Sequence, residues 1–288
     1  MDATAEDSRW GVSSMVAPLH RVLVRRPATD GDWAGAAWRT PDPAALARQH
    51  EAFCALLAEL GAEVELAPAL DGLVDAVYQH DPLVMSARGG IPLRMAKPVR
   101  RQEPEHVAVE LERLGIPVLG RLEAPAWADG GDRFWLDATT MVLGLGYRTN
   151  RAGADALAAL VAPEGARVAT YDMPHDQGPG AVLHLQSFLS AVTGELLVVF
   201  EPLAPVRLLQ DLRERGCDWI AVEEEDYRAM GCNVLAVRPG VVVVCDGAPG
   251  VRRALEARGV EVHAYDGSEL SHKGDGGPTC LTAPLLRA

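Results

Sequence analysis

Cys280 stands in the stretch GDGGPTCLTAPLLRA, residues 274–288, with glycines upstream and a threonine on either side, Thr279 and Thr282. The setting reads as a flexible, glycine-lined turn that leaves the sulfur approachable. A thiolate is a strong nucleophile, and thiolate catalysis pairs it with a histidine distant in sequence and adjacent in space. His184, in VLHLQSFLS, lies in an apolar run and reads either as a satisfied core residue or as that base. The other cysteines, Cys54, Cys217, Cys232 and Cys245, sit in apolar helix-like or strand-like contexts and read as structural.

Three polar clusters accompany them. In DAVYQHDP, Asp75 and Asp81 flank Tyr78. An even spacing on an extended strand puts both carboxylates on one face. Such a pair suits a planar guanidinium that donates bidentate hydrogen bonds. Two turn-capping aspartates would give the same pattern. In ADGGDRFWLD, Asp129 and Asp132 bracket two glycines. This is either a hairpin turn or a carboxylate free to approach a histidine closely. In YRTNR, Arg148 is a surface arginine or a carboxylate binder, and Asn150 is placed to cap a helix.

These residues fall between repeating elements. Five segments close alike, at LGAEVELAP, LGIPVLGRLEAP, GARVATYDMP, RGCDWIAVEEE and RGVEVHAYDGSE, each with a glycine (Gly61, Gly115, Gly165, Gly216, Gly259) before a short apolar strand. A helical pattern precedes each glycine, with apolar residues three and four apart. An apolar strand precedes each helix: RVLVRR, DPLVMSA, TMVLGLGY, ELLVVFE and GVVVVCD. The period is about 50 residues, which implies a closed or stacked repeat. Alternating strands and helices would also suit a Rossmann sheet, but no GxGxxG opens any of the helices. The fold class predicted is α/β, as a five-bladed α/β propeller in a single domain over 1–288, with 1–18 a loosely ordered N-terminal extension. Loops between the units are where the chemistry belongs.

Composition narrows the function classes. The chain has 288 residues, 48% of them hydrophobic, and a net charge of −13. That charge argues against a nucleic-acid partner and favours a small cationic one. Five scattered cysteines without a CxxC suggest neither a disulfide framework nor a zinc site, so neither a metal nor a cofactor is expected. The polar, acidic N-terminus does not read as a signal peptide, and no apolar run is long enough to span a bilayer. A cytoplasmic location is expected, without a membrane partner. Apolar strands at blade edges are compatible with a homodimer.

The ordered set DxVYxxDP, RRxE (Arg100 to Glu103), xGGD, RTN, LHLxS and GGxxCLT resembles the guanidine-modifying pentein enzymes. Among them it is most similar to the dimethylarginine dimethylaminohydrolases. The resemblance runs from Val22 to Cys280. It implies Cys280 as nucleophile, His184 as general acid and base, and Asp129 as the carboxylate that orients His184. Asp129 is one methylene shorter than the family's usual glutamate, and Asp132 is a neighbouring candidate. It implies Asp81 and Asp75 as the carboxylates on the guanidinium, Tyr78 where the family has phenylalanine, and Arg100 and Arg148 on the amino-acid end of the substrate. His80 falls where those hydrolases often have an acidic contact. Gln186 replaces the aspartate that arginine deiminases and amidinotransferases place two residues after the histidine, and those deiminases tend to have asparagine at the Asp75 position.

The expected substrate is therefore a small cationic guanidine, with an N-methylated arginine foremost. The expected reaction is hydrolysis through a thiouronium on Cys280, releasing citrulline and a methylated amine. An ordinary thiol, with a pKa of about 8.5, is mostly protonated at neutral pH, and a nearby cation favours the thiolate. Alternatives are an arginine deiminase, an amidinotransferase, a hydrolase of another substituted guanidine, or a non-catalytic ribosome-binding pentein. Residues 27–38 read as a lid or as a plain surface loop.

Overall fold

The five glycines that end the repeats all adopt a left-handed conformation, with φ between 69° and 99°. At these points a helical segment stops and the chain turns back, in four of the five cases into a strand, and glycine does this without strain. The protein is described here from a computed structural model covering residues 9–288.

The first unit contains β1 (Leu19–Arg25), α1 (Pro43–Glu59) and β2 (Glu63–Ala67). Asp42 caps α1 by accepting from the Ala45 N–H at 2.7 Å, and Pro43 opens it. The second unit contains β3 (Leu83–Met85), β4 (Gly90–Pro92) and α2 (Glu103–Arg113). The third contains β5 (Arg133–Asp137), β6 (Thr140–Leu145), α3 (Arg151–Val161) and β7 (Arg167–Asp172). The fourth contains α4 (Leu185–Phe188), β8 (Leu189–Ala191), β9 (Leu196–Val199), α5 (Val206–Glu214) and β10 (Asp218–Ala221). After α6 (Glu224–Arg228), the fifth contains β11 (Leu235–Arg238), β12 (Val241–Cys245), α7 (Pro249–Ala257) and β13 (Glu261–Tyr265), and β14 (Ala283–Arg287) ends the chain.

The architecture is α/β, with five small sheets among the described residues: β14-β1-β2, β3-β4, β5-β6-β7, β8-β9-β10 and β11-β12-β13. In the three-stranded sheets the middle strand pairs antiparallel with one neighbour and parallel with the strand that follows its helix. The first sheet takes its antiparallel strand from the far end of the chain, so β14 joins the last segment to the first. Neighbouring sheets touch through β14 and β3, β1 and β11, and β11 and β8. The Trp135 indole of β5 donates to the Met85 carbonyl of β3 at 3.2 Å, and Gln186 of α4 donates to the Arg133 carbonyl of β5.

Two expectations are corrected in the second unit. The strand before α2 is β4, not DPLVMSA, whose central residues form the outer strand β3. The segment LGIPVLGRLEAP forms no strand and makes only a parallel bridge, Val118 to Gly90. A Cβ on Gly90 would lie 2.6 Å from Leu111 Cδ1 of α2, so a side chain there would force that leucine to shift. Residues 9–18 are also not loose. Gly11 pairs with Leu286, Val12 is 1% exposed, and its N–H donates to the Ser86 carbonyl at 3.0 Å. Residues 1–8 of the expected extension lie outside the described residues. No helix among the described residues is long and apolar enough to cross a membrane.

Candidate active site

The candidate residues come from the connections between the sheets. Asp75 lies in a short 3-10 turn, Val74–Val77, and Asp81 in the loop before β3. Asp129 leads into a 3-10 turn, Gly130–Asp132, ahead of β5, and Arg148 follows β6. His184 caps α4, and Cys280 precedes β14. The backbone N–H of His80 donates to the Cys280 carbonyl at 3.1 Å, which ties the Asp81 loop to the cysteine loop.

His184 sits between two carboxylates. Its Nε2 is 3.2 Å from Asp129 Oδ2, and its Nδ1 is 3.8 Å from Asp81 Oδ1. The fit depends on Gly131, where a Cβ would lie 2.5 Å from His184 Nδ1 and 3.0 Å from Asp81 Oδ1. The two aspartates flanking the glycine pair therefore act differently. Asp129 meets the ring. Asp132 holds the backbone beside it, accepting from the Leu185 N–H at 3.0 Å and from the Thr149 hydroxyl at 2.7 Å. The His184 N–H is itself fixed by Ser187 Oγ at 2.9 Å. Burial works against a charged imidazole here. Asp81, the Asp129 hydrogen bond and Asp132 outweigh it and raise His184 to about 9. Burial would raise Asp81 too, but His184 and Arg100 bring it down to about 2. Asp132 is pushed up to about 7 by burial.

Cys280 is half-buried, and Asn233 Nδ2 donates to its sulfur at 3.1 Å. Burial, with the Asp81 carboxylate second, pushes the thiol up to about 12. The surrounding glycines do not form the flexible turn expected from the sequence. A Cβ on Gly276 would lie 2.2 Å from the Tyr78 ring, one on Gly274 2.3 Å from Trp38, and one on Gly277 2.6 Å from Asn233. The loop is packed, and its glycines are needed because aromatic rings and an amide lie directly against the backbone. The other four cysteines are free thiols, and burial pushes Cys54 and Cys245 up to about 11.

Asp75 and Asp81 do not share the face of one strand, because the 3-10 turn lies between them. Each is engaged by a cation of the same segment. Lys97 Nζ is 2.6 Å from Asp75 Oδ2, and Arg100 Nη1 is 2.6 Å from Asp81 Oδ2. The Trp38 indole donates to Asp75 Oδ1 at 2.7 Å, so both oxygens of Asp75 are taken. Asp81 Oδ1 is buried and makes no hydrogen bond to any described residue. Arg100 also forms a fork with Glu103, at 2.9 and 2.7 Å, and donates to the carbonyls of Asp75 and Tyr78. Arg100, expected on the amino-acid end of a substrate, is thus committed to protein acceptors and is 5% exposed. Burial raises Glu103 to about 7 despite this pairing. Arg148 lies 3.9 Å from Asp129 Oδ2 and donates to the Ala181 carbonyl.

Tyr78 is buried, stacked on Trp38 with ring centroids 5.4 Å apart. Trp38 ends the segment expected as a lid, so that segment is anchored on Asp75 while Asp30 to Asp32 remain exposed. His80 turns away from Asp81. Its Nδ1 lies 3.2 Å from the Thr282 carbonyl and its Nε2 2.8 Å from Gln186 Nε2. Burial, then Arg133, lower His80 to about 3, so it is a neutral ring. The sequence reading assigned no role to Lys97, Glu103, Trp38 or Asn233. Only Glu103 left a signal, three residues after Arg100 at the start of a helix.

The arginine deiminase family model matches residues 66–209 and 212–287. The chain belongs to the arginine deiminase family. Within that family it is 27% identical over 262 residues to an arginine deiminase of Listeria monocytogenes, an alignment covering 76% of this chain and 62% of that one. The chain thus spans less than two thirds of the deiminases it matches. It is 26% identical over 242 residues to the N(G),N(G)-dimethylarginine dimethylaminohydrolase of Pseudomonas aeruginosa, over 84% of this chain and 89% of that one. The structure of the Pseudomonas enzyme with citrulline superposes with a TM-score of 0.76 at 23% identity, covering 94% of this chain and all of the other. The N-terminal domain of ArgZ, a cyanobacterial arginine dihydrolase, superposes with a TM-score of 0.80 at 18% identity, over 93% and 98%. These likenesses make the chain a pentein-superfamily protein, akin to the dimethylarginine dimethylaminohydrolases and related to the arginine deiminases.

Proposed function

We propose that the protein hydrolyses a substituted guanidine, with N-methylated arginine the foremost substrate, through a covalent thiouronium on Cys280. The observation that carries this reading is Asp81. One of its oxygens is held by Arg100, and the other is buried without a hydrogen-bond partner among the described residues, beside His184 Nδ1 and close enough to raise the Cys280 thiol. A substrate guanidinium donating to that oxygen satisfies a costly buried acceptor. It also brings a positive charge to the sulfur, which favours the thiolate.

The chemistry then follows from the geometry. The Cys280 thiol, made more acidic by the bound cation, gives its proton to solvent, and the thiolate attacks the central guanidinium carbon to form a tetrahedral adduct. Asp129 holds His184 Nε2, so Nδ1 is the nitrogen left to exchange protons. His184 is charged at neutral pH and protonates the departing amine as its bond to carbon breaks. The thiouronium that remains is attacked by water, whose proton passes to the now neutral His184. Collapse releases a ureido product and restores the thiol. In this reading Arg148, beside Asp129, meets the amino-acid end once it releases the Ala181 carbonyl.

Asp75, as a carboxylate, and Gln186, in place of an acid, favour methylated arginine. Arginine deimination is the second reading, favoured by the named deiminases at 27% identity. In architecture we read residues 9–288 as one catalytic domain, a five-bladed ring. The contacts from each sheet to the next and the pairing of β14 with β1 support that reading.

The test is a ureido-product assay with arginine, monomethylarginine and asymmetric dimethylarginine offered separately, and Cys280→Ser as control. Product from the methylated substrates alone, lost in the variant, is the expected result. Product mainly from arginine makes the protein a deiminase. Product that persists in Cys280→Ser overturns the mechanism.

A further inference from the structure

A second polar site lies behind His80 and Gln186, and its charge is opposite to that of the Asp81 cluster. Arg133 opens β5 and Arg287 closes β14, and the two residues are 2% and 7% exposed. Both line one cavity, together with Ser14, His80, Gln186 and Thr279, with free space of about 10 Å³. Elsewhere Arg21 pairs with Glu65 and Arg100 with Asp81 and Glu103, and Arg25, though it forms no ion pair, has the charges of Glu110 and Glu103 in range. Among the described residues, no carboxylate lies within ion-pair distance of Arg133 or Arg287.

The hydrogen bonds of Arg133 are also incomplete. Arg287 donates to the carbonyls of Ala17 and Ala236, both at 2.7 Å. Arg133 meets Met15 Sδ and His80 Nε2, each at 3.5 Å, and its buried Nε has no partner among the described residues. Ser14 Oγ accepts from the N–H groups of Val16 and Ala17, which leaves its own hydrogen to donate. His80 is neutral and Gln186 uncharged, so neither offsets the cations. Burial lowers Arg133 to about 10, and burial with Arg133 beside it lowers Arg287 to about 9. Two buried like charges without a counterion are costly.

We propose that this cavity binds a small monovalent anion of the halide class between Arg133 and Arg287, with the Ser14 hydroxyl as a third donor. The size of the cavity selects the class. Its free space is that of about one water molecule, which suits a single-atom ion and excludes tetrahedral oxyanions. The anion does not touch the reacting atoms. It neutralises the cations that close the back of the site and joins β14, which carries Cys280 on its leading loop, to β5.

The test is thermal unfolding of the full chain in sodium chloride or bromide against sodium gluconate, at fixed ionic strength. The expected result is a saturable rise in Tm of several degrees with either halide and none with gluconate, as for any ligand that binds only the folded state. Arg287→Met and Arg133→Met each remove one of two repelling buried charges, so each is expected to fold in gluconate and to lose the halide response. Crystals of the wild type grown in bromide give a readout independent of the variants, an anomalous peak between the two guanidiniums. A Tm indifferent to halide, a halide response retained in both variants, a bromide-free cavity, or a carboxylate of residues 1–8 found between the arginines would each overturn the proposal.

Discussion

Cys280 rests as a protonated thiol, because burial and Asp81 both disfavour its negative charge. His184, raised to about 9, rests as an imidazolium. This is the reverse of a preformed thiolate, and under the proposed function it makes the substrate's own charge part of the activation. In free enzyme, alkylation of Cys280 by iodoacetamide is therefore expected to climb with pH and to keep climbing beyond pH 9. A methylated-guanidine ligand that cannot react is expected to raise the rate of thiolate formation at pH 7. A rate that levels off below pH 8 would show a thiol already activated by His184 alone. At this scale much was legible in the sequence. Cys280 stood out by the glycines and threonines around it, whereas His184 and Asp129 each had two readings and drew their roles from the family resemblance. The division of labour between Asp129 and Asp132 was not legible, since it depends on which oxygen faces the ring and which faces the backbone of α4.

The segment between β4 and α2 decides how the site receives a cation. Lys97 and Arg100 lie three residues apart around Pro98, which opens a 3-10 turn, and they reach Asp75 and Asp81 respectively. Under the proposed function, an arriving guanidinium must compete with Lys97 for Asp75. Lys97→Met is expected to lower KM for a cationic substrate several-fold while leaving kcat within about twofold, because binding changes and the reacting groups do not. A raised KM would instead make Lys97 a substrate contact. The family resemblance put Arg100 in the site, on the amino-acid end of the substrate, whereas nothing in the sequence singled out Lys97. Periodicity reports which face of an element is apolar, whereas Lys97 and Arg100 lie in a turn that has no period. The same limit explains the second unit. Its three-residue strands are too short to show alternation, so β3 was taken for the central strand and the bridge at Val118 for a full strand.

Charge couples the site to the stability of the whole molecule. His184 has a folded pKa of about 9, above its ordinary 6.5. The stabilisation this represents is fully present below pH 6.5 and is lost as pH rises through 9. A shift of that size corresponds to ~3 kcal/mol. Asp81 behaves in the opposite sense. Its lowered pKa contributes stability above the ordinary value of 3.8, lost as pH falls through about 2. Chemical denaturation at pH 6 and pH 9.5 is expected to show the wild type losing more stability than His184→Gln over that interval. Equal losses would mean that the imidazolium is not held by its three aspartates.

The sequence by itself determined the α/β class, the repeat and the positions where each helix ends, because glycine in a left-handed turn and the spacing of apolar residues are local properties. It also determined which residue types could form a thiol, histidine and carboxylate site. The folded chain was needed to show that the cysteine loop is packed against Tyr78, Trp38 and Asn233, that Arg100 and Lys97 already sit on the acidic pair, and that arginines of β5 and β14 line one cavity with no carboxylate in ion-pair range among the described residues. Each depends on segments far apart in the chain coming within a few ångströms, and on burial that turns a modest surface charge into a large energetic term.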